Sequence, residues 1–384
     1  MKKTNFIALA LSCILFISCE SAGGDLSLES SSKFSGDISG SGGGELQAGV
    51  ITAGEWNDLD NWMFLDSLLK DNNFFKVSSY WGFYRNHRIS VQVNDASNHP
   101  VVDAIVLLKR DGSDIWSART GNSGKAELWV DLYQKSEEID STKLQLVVGN
   151  TIISSVKTFY GGVNVITLAN NLATSKNVEL AFVVDATGSM GDELEFLKTE
   201  LLDVINRTKT NNPTLNILTG SVFYRDKGDD YVTRISNFNT NIQTTLNFIK
   251  DQKASGGGDF PEAVHTALDK AINELQWSTF AHTRLLFLVL DAPPHYEPDI
   301  VSNLQVQIKK ASEKGIKIIP ITASGIDKDT EFLMRFMAVT TNGTYVFITN
   351  DSGVGNEHLT ATVGKYEVEK LNDLMVRLIN KYVK

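Results

Sequence analysis

The sequence predicts an α/β protein: a doubly wound, mostly parallel sheet from about residue 175 to Lys384, preceded by a small β-sandwich. Three observations carry that expectation. The run Val178 to Val184 has the length and β-branched content of a strand buried on both faces, and it stops at Asp185 before Gly188 and Gly191. A helix with Leu194, Leu197, Leu201, Val204 and Ile205 at helical spacing follows at once, and strands and helices then alternate to the C-terminus. Between residues 88 and 168 the pattern is instead strict two-residue alternation broken by turn dipeptides.

The chain opens with Lys2 and Lys3, thirteen apolar or small residues from Phe6 to Ser18, and Cys19. That is the layout of a secretory signal, and the run is too short to span a bilayer. Phe16-Ile-Ser-Cys19 resembles a bacterial lipobox, with Phe16 where Leu is usual. The resemblance implies cleavage after Ser18 and acylation of Cys19; the alternative is an ordinary signal cut elsewhere. Cleavage there removes Cys13, one of the two cysteines, and commits the other to lipid, so disulfides play no part in the fold. It leaves 366 residues and changes the formal charge from −10 to −12. An acidic chain without Lys or Arg runs lacks the footprint of a nucleic-acid binder.

Residues 19 to 49 are rich in Ser and Gly and read as a tether holding folded parts off a membrane surface. Residues 50 to 87 carry Trp56, Trp62, Phe64, Phe74, Phe75, Tyr80, Trp81, Phe83 and Tyr84, too many aromatics for solvent; the segment is expected to pack onto its neighbour. In residues 88 to 170, Ile89, Val91 and Val93, then Ala104, Val106 and Leu108, then Leu128, Val130 and Leu132 alternate, and later runs complete about seven strands. Val91 to Val106 and Thr120 to Ala126 resemble the Ig-type, regulatory-like domains of secreted bacterial proteins, which serve as spacers or adaptors.

In the α/β part, strands are expected at 215–224, 232–236, 284–290, 316–321 and 343–348. Helices are expected around Ile242 to Ile249, Ala263 to Leu275, Ile300 to Ala311, Phe332 to Met337 and Val368 to Val383. Ligands of such sheets bind beyond the carboxyl ends of the strands. Asp185, Thr187 and Ser189 converge there, and Asp291 ends the later run Leu288-Val-Leu-Asp291. One carboxylate and two hydroxyls delivered by one turn supply half the oxygen shell that a hard divalent cation requires.

Asp185-Ala-Thr-Gly-Ser189 resembles the D-x-[S/T]-x-S motif of von Willebrand factor A domains, over residues 175 to 384. The resemblance implies a metal-ion-dependent adhesion site holding Mg2+, or Mn2+ or Ca2+, through Asp185, Thr187, Ser189 and Asp291, with an open position for a carboxylate of a protein partner. The threonine that the family places on a further loop is missing: Ala254-Ser-Gly-Gly-Gly-Asp-Phe-Pro-Glu-Ala263 has Gly at that position, followed by Asp259. Asp259 is either a ligand, direct or through water, or the start of a capping box with Glu262. Ser189 has a parallel alternative as helix N-cap. Tyr224 to Tyr231, Gly256 to Val264 and Asp291 to Glu297 match a bacterial branch of the family, with Arg225 and Asp226 either lining the metal face or forming a loop ion pair.

Two rival readings stand beside adhesion. Thr187-Gly-Ser-Met-Gly191 approaches a nucleophile elbow, and Ser189, Asp291 and His358 occur in the chain order of an α/β-hydrolase, yet no strands or oxyanion loop of that fold precede them. A structural envelope subunit with a vestigial metal site is the other. The sequence favours a non-enzymatic lipoprotein on the outer membrane or cell surface that binds a protein through its cation.

Overall fold

A computed structural model describes residues 47–84, 87–135, 138–169 and 174–384. The signal segment, Cys19 and the tether up to residue 46 lie outside the described residues. The chain enters through β1 (Thr52–Trp56), α1 (Trp62–Leu68) and α2 (Asn72–Trp81). Helix α2 starts where Asp71 accepts from the amides of Asn73 and Phe74, and it ends on Gly82 in the left-handed conformation, φ 70°.

Seven strands follow: β2 (Arg88–Asp95), β3 (Ile105–Arg110), β4 (Ser113–Arg119), β5 (Lys125–Trp129), β6 (Leu144–Val148), β7 (Thr151–Ile153) and β8 (Asn164–Leu168). They form one sheet of order β5-β2-β8 and another of order β4-β3-β6-β7, the expected sandwich. The alternating residues Val91 and Val93, Val106 and Leu108, and Leu144, Leu146 and Val148 fill its interior.

The α/β part comprises β9 (Asn177–Asp185), α3 (Gly191–Asn211), β10 (Asn216–Tyr224), β11 (Thr233–Asn239), α4 (Ile242–Lys250), α5 (Val264–Asn273), β12 (Thr283–Leu290), α6 (Pro298–Lys314), β13 (Ile316–Thr322), α7 (Lys328–Thr340), β14 (Tyr345–Ile348), β15 (Glu369–Lys370) and α8 (Leu371–Val383). The sheet runs β11-β10-β9-β12-β13-β14-β1-β15. Its five central strands are parallel, flanked by antiparallel β11 on one side and β1 on the other. Leu180, Phe182 and Val184 of β9 face a core shared with α3, α4 and α8, whereas Ala181 and Val183 face one shared with α5, α6, α7 and the sandwich. Both faces are covered, so the strand reads as an unbroken apolar run.

The aromatic-rich stretch does more than pack onto a neighbour. Thr52–Trp56 is a strand of the large sheet, pairing Ala53 with Ile348 and Trp56 with Tyr345. Gly54 is required there, because a Cβ would stand 2.7 Å from the Phe347 ring. Phe74 of α2 packs edge-on against Phe332 of α7 at 4.4 Å, and Trp62 meets Trp129 of the sandwich at 5.8 Å. The N-terminal segment therefore joins both halves.

Polar contacts fix those joints. Wholly buried Arg335 of α7 forms a fork with Asp58, with Nε to Oδ2 at 2.9 Å and Nη2 to Oδ1 at 2.6 Å. Trp56 Nε1 donates to the same carboxylate at 3.0 Å. Across the sandwich junction, Arg284 of β12 grips Asp103 at 2.7 and 3.1 Å, and Trp116 Nε1 donates to Ser312 Oγ at 3.0 Å. Breaking one partner of a buried pair strands the other charge, so Asp58→Ala is predicted to lower unfolding free energy by about 3–5 kcal/mol in a denaturant titration. A loss below about 1 kcal/mol, the range of an exposed pair, would contradict the joint described here.

Candidate metal centre at the strand ends

Parallel pairing builds the site. In the ladder between β9 and β12, Val184 lies opposite Val289, which places Asp185 and Asp291 at the carboxyl ends of adjacent strands. On the other side of β9, Tyr224 lies opposite Asp185. Thr187 is buried with Asp185, whereas Ser189 sits on the exposed side of the turn. The Thr187 amide and hydroxyl both donate to Asp185 Oδ1, at 2.8 and 2.7 Å, and the two hydroxyl oxygens are 3.2 Å apart. A hydroxyl that donates to a carboxylate keeps its lone pairs for a cation.

Three further loops are tied to this turn. Gly188 N donates to Gly256 O at 2.9 Å and Ser255 N to Ala186 O at 3.0 Å. Arg225, buried after β10, donates to the carbonyls of Ala186 and Lys253 at 3.1 and 2.8 Å. Asp229 Oδ2 accepts from the amides of Asp226 and Gly257 at 3.1 and 2.9 Å, while Asp226 Oδ1 meets His295 Nε2 at 2.7 Å. Residues 224–231, 256–264 and 291–297, matched separately along the chain, therefore assemble around one turn. Arg225 acts as a brace for the backbone, and His295 holds a loop through Asp226.

Two sequence alternatives are settled locally. Helix α5 begins at Val264 with Ala263 as N-cap and no side-chain cap, so Asp259 and Glu262 form no capping box. Helix α3 has Met190 as N-cap, so Ser189 caps nothing. Asp259 lies exposed on the glycine-rich loop, and no hydrogen bond or ion pair holds it among the described residues. Glu262, missed as a functional residue because its spacing matched a cap, is the acid this loop buries, at 2% exposure. As for the hydrolase order, both ring nitrogens of His358 are taken, by Asn350 at 3.1 Å and Glu193 at 3.1 Å, while Ser189 Oγ meets Thr187.

The electrostatics are those of carboxylates buried without enough donors. Asp185 and Asp291 are 0% and 5% exposed, and Asp185 Oδ2, Asp291 Oδ1, Glu262 Oε2 and the Tyr224 hydroxyl are buried without a hydrogen-bond partner. Burial, then the charge of Asp291, raises the Asp185 pKa well above the ordinary range, against the hydrogen bonds from Thr187 and the approach of the Tyr224 hydroxyl. Burial also raises Asp291, partly offset by the Ser189 hydroxyl. Glu262 is pushed up to about 9 by burial and then by Asp185, Asp226, Asp291 and Asp229. Unpartnered oxygens of carboxylates beside two hydroxyls are the donor set of a hard divalent cation, so the residues fit one. Among the described residues, no group of three or more His, Cys, Asp or Glu side chains is drawn together as a finished metal cage.

Residues 179–362 match the sequence profile of the von Willebrand factor A domain family. The chain carries a von Willebrand factor A domain. Curated relatives include an ariadne-like RING finger protein of Acanthamoeba polyphaga mimivirus, 35% identical over 131 residues. Alpha-protein kinase vwkA of Dictyostelium discoideum is 32% identical over 126 residues. These matches cover 34% and 32% of this chain but only 12% and 20% of the relatives. Among solved structures, BatB from Bacteroides thetaiotaomicron aligns at 14% identity with a TM-score of 0.37, over 53% of this chain and 98% of that one. An aerotolerance-related membrane protein from Bacteroides fragilis aligns at 14% with a TM-score of 0.35, over 53% and 99%.

The A domain's raised carboxyl pKa values have a signed consequence. Unfolded Asp and Glu titrate near 4, so the stability these groups contribute is complete below that pH and is lost as pH rises through their higher folded values. A cation that neutralises the ionised carboxylates should therefore raise the melting temperature more at pH 8 than at pH 5.5, and Asp185→Asn should raise the cation-free melting temperature at pH 8 while abolishing the shift. Scanning calorimetry at both pH values checks this; a cation shift independent of pH would contradict it.

Proposed function

We propose that the A domain binds a protein partner through a divalent cation, Mg2+ first and Mn2+ or Ca2+ in its place, on a lipoprotein anchored through Cys19 in a bacterial envelope. Its role is adhesion, without catalysis. Asp185, Thr187, Ser189 and Asp291 would hold the cation directly or through water, and a position on the exposed Ser189 side would accept an oxygen of the partner, a carboxylate being the natural donor. The observation that carries the reading is the pair of buried, unpartnered oxygens on Asp185 and Asp291, adjacent at two parallel strand ends beside two hydroxyls.

The surroundings support a protein partner. Phe260, on the loop between α4 and α5, and Tyr296, on the loop that follows β12, are 45% and 46% exposed, and exposed aromatics beside a polar anchor suit a protein interface. Among the described residues no helix is long and apolar enough to cross a membrane. Membrane attachment in this reading rests on Cys19 alone, with the Ser- and Gly-rich tether giving reach.

Isothermal titration of Mg2+ and Mn2+ into the metal-stripped full chain tests the cation directly. One saturable site is expected, lost in a folded Asp185→Ala variant, with acetate adding to the loaded protein as the simplest carboxylate probe. Absence of binding to a well-folded parent would sink the reading.

A further inference from the structure

The loop that lacks the expected threonine carries a buried acid in its neighbourhood, and the surrounding geometry gives that acid a purpose. Glu262 is fastened to the loop that follows Asp291: its amide donates to Pro293 O at 2.8 Å, and its backbone forms a parallel bridge with Pro294. Gly257 makes room for its carboxylate. That glycine has φ 74°, and a Cβ on it would stand 2.8 Å from Glu262 Oε1 and 3.2 Å from Thr187 Cβ, so Glu262 and Thr187 flank one glycine. Glu262 Oε2 is buried with no donor, and Asp185 and Asp291 both act on its charge. No Lys or Arg pairs with Glu262 among the described residues.

A buried carboxylate held this way is costly for a fold to keep unless something compensates it. A helix cap does not, because α5 starts without one. We propose that Glu262 is a ligand of the cation, standing in for the absent threonine and giving the site three carboxylates in place of two. Among the described residues the three side chains do not form a ready-made cage, so ligation requires them to close on the cation.

This rests on the cation reading above and deepens it. Each added ligand charge tightens an oxygen site, and a third carboxylate favours cations that accept several carboxylates over one that keeps most of its water. Asp185, Asp291 and Glu262 carry three negative charges against the two of the ion. The loaded site would then attract a partner's carboxylate less than a site with two carboxylates and a threonine, and the exposed aromatics take a larger share of recognition.

The test is titration of Mn2+ and Ca2+ into the metal-stripped full chain of the parent, Glu262→Gln and Asp192→Asn, the last removing an exposed charge from the first turn of α3. Expected is a loss of about 10–100-fold in the Gln variant, the range for removing a group that supports a metal. The Asn variant should stay within about twofold, as for a screened surface charge. Cation affinity unchanged in Glu262→Gln, or reduced equally in Asp192→Asn, overturns the proposal while the cation reading stands. Failure of the parent to bind overturns both. Should Glu262→Gln not fold, Glu262→Asp keeps the charge but withdraws the carboxylate by one methylene and is expected to show a similar loss.

Discussion

The structure depends on the parallel alignment of β9 and β12. Neighbouring parallel strands end on the same side of a sheet, so two acids separated by more than a hundred residues of sequence arrive side by side with no direct contact to fix them. The register sets which groups meet: Asp185 is flanked by Tyr224 on one side and the end of β12 on the other. A slip of one residue would turn Leu180, Phe182 and Val184 out of one core and into the other, so the packing of both faces enforces the position of the acids.

The loops then hold these acids in a state that disfavours their own charge. Arg225 binds two backbone carbonyls, Asp229 accepts two amides and Asp226 engages His295, so the nearby polar groups are spent on fixing the loops. What remains at the centre is carboxylate oxygen that no guanidinium or ammonium matches, beside the Tyr224 hydroxyl. Such a region stores an electrostatic penalty that a well-packed fold can carry, as the forks of Arg335 with Asp58 and Arg284 with Asp103 carry the interior elsewhere. The contrast is informative: Asp58 and Asp103 are matched by guanidinium groups, and the carboxylates at the strand ends are not.

Much of this was legible in the sequence because local signals agreed. The run to Asp185, the helix beginning at Gly191 and the alternation of the sandwich each followed from periodicity, and Asp291 was visible as an acid at the end of an apolar strand. Two features were hidden for physical reasons. Strand β1 is five residues of mixed polarity whose partner β14 lies almost three hundred residues away, so no local period announces it. Glu262 was concealed by spacing that fits a capping box; only the start of α5 at Val264, without a side-chain cap, shows that its carboxylate caps no helix. Asp259, on the same loop and equally acidic, lies at the surface, and nothing in their shared sequence context separates the two.

The central claim is that the ends of β9 and β12 form a cation site. A crystal of the full chain soaked in Mn2+, with anomalous diffraction recorded at the manganese edge, tests it most directly. The account predicts one strong peak bounded by Asp185, Ser189 and Asp291, at oxygen distances of about 2.0–2.6 Å. A peak confined to other acids, or none at a saturating concentration with the strand-end carboxylates still unpartnered, would contradict it.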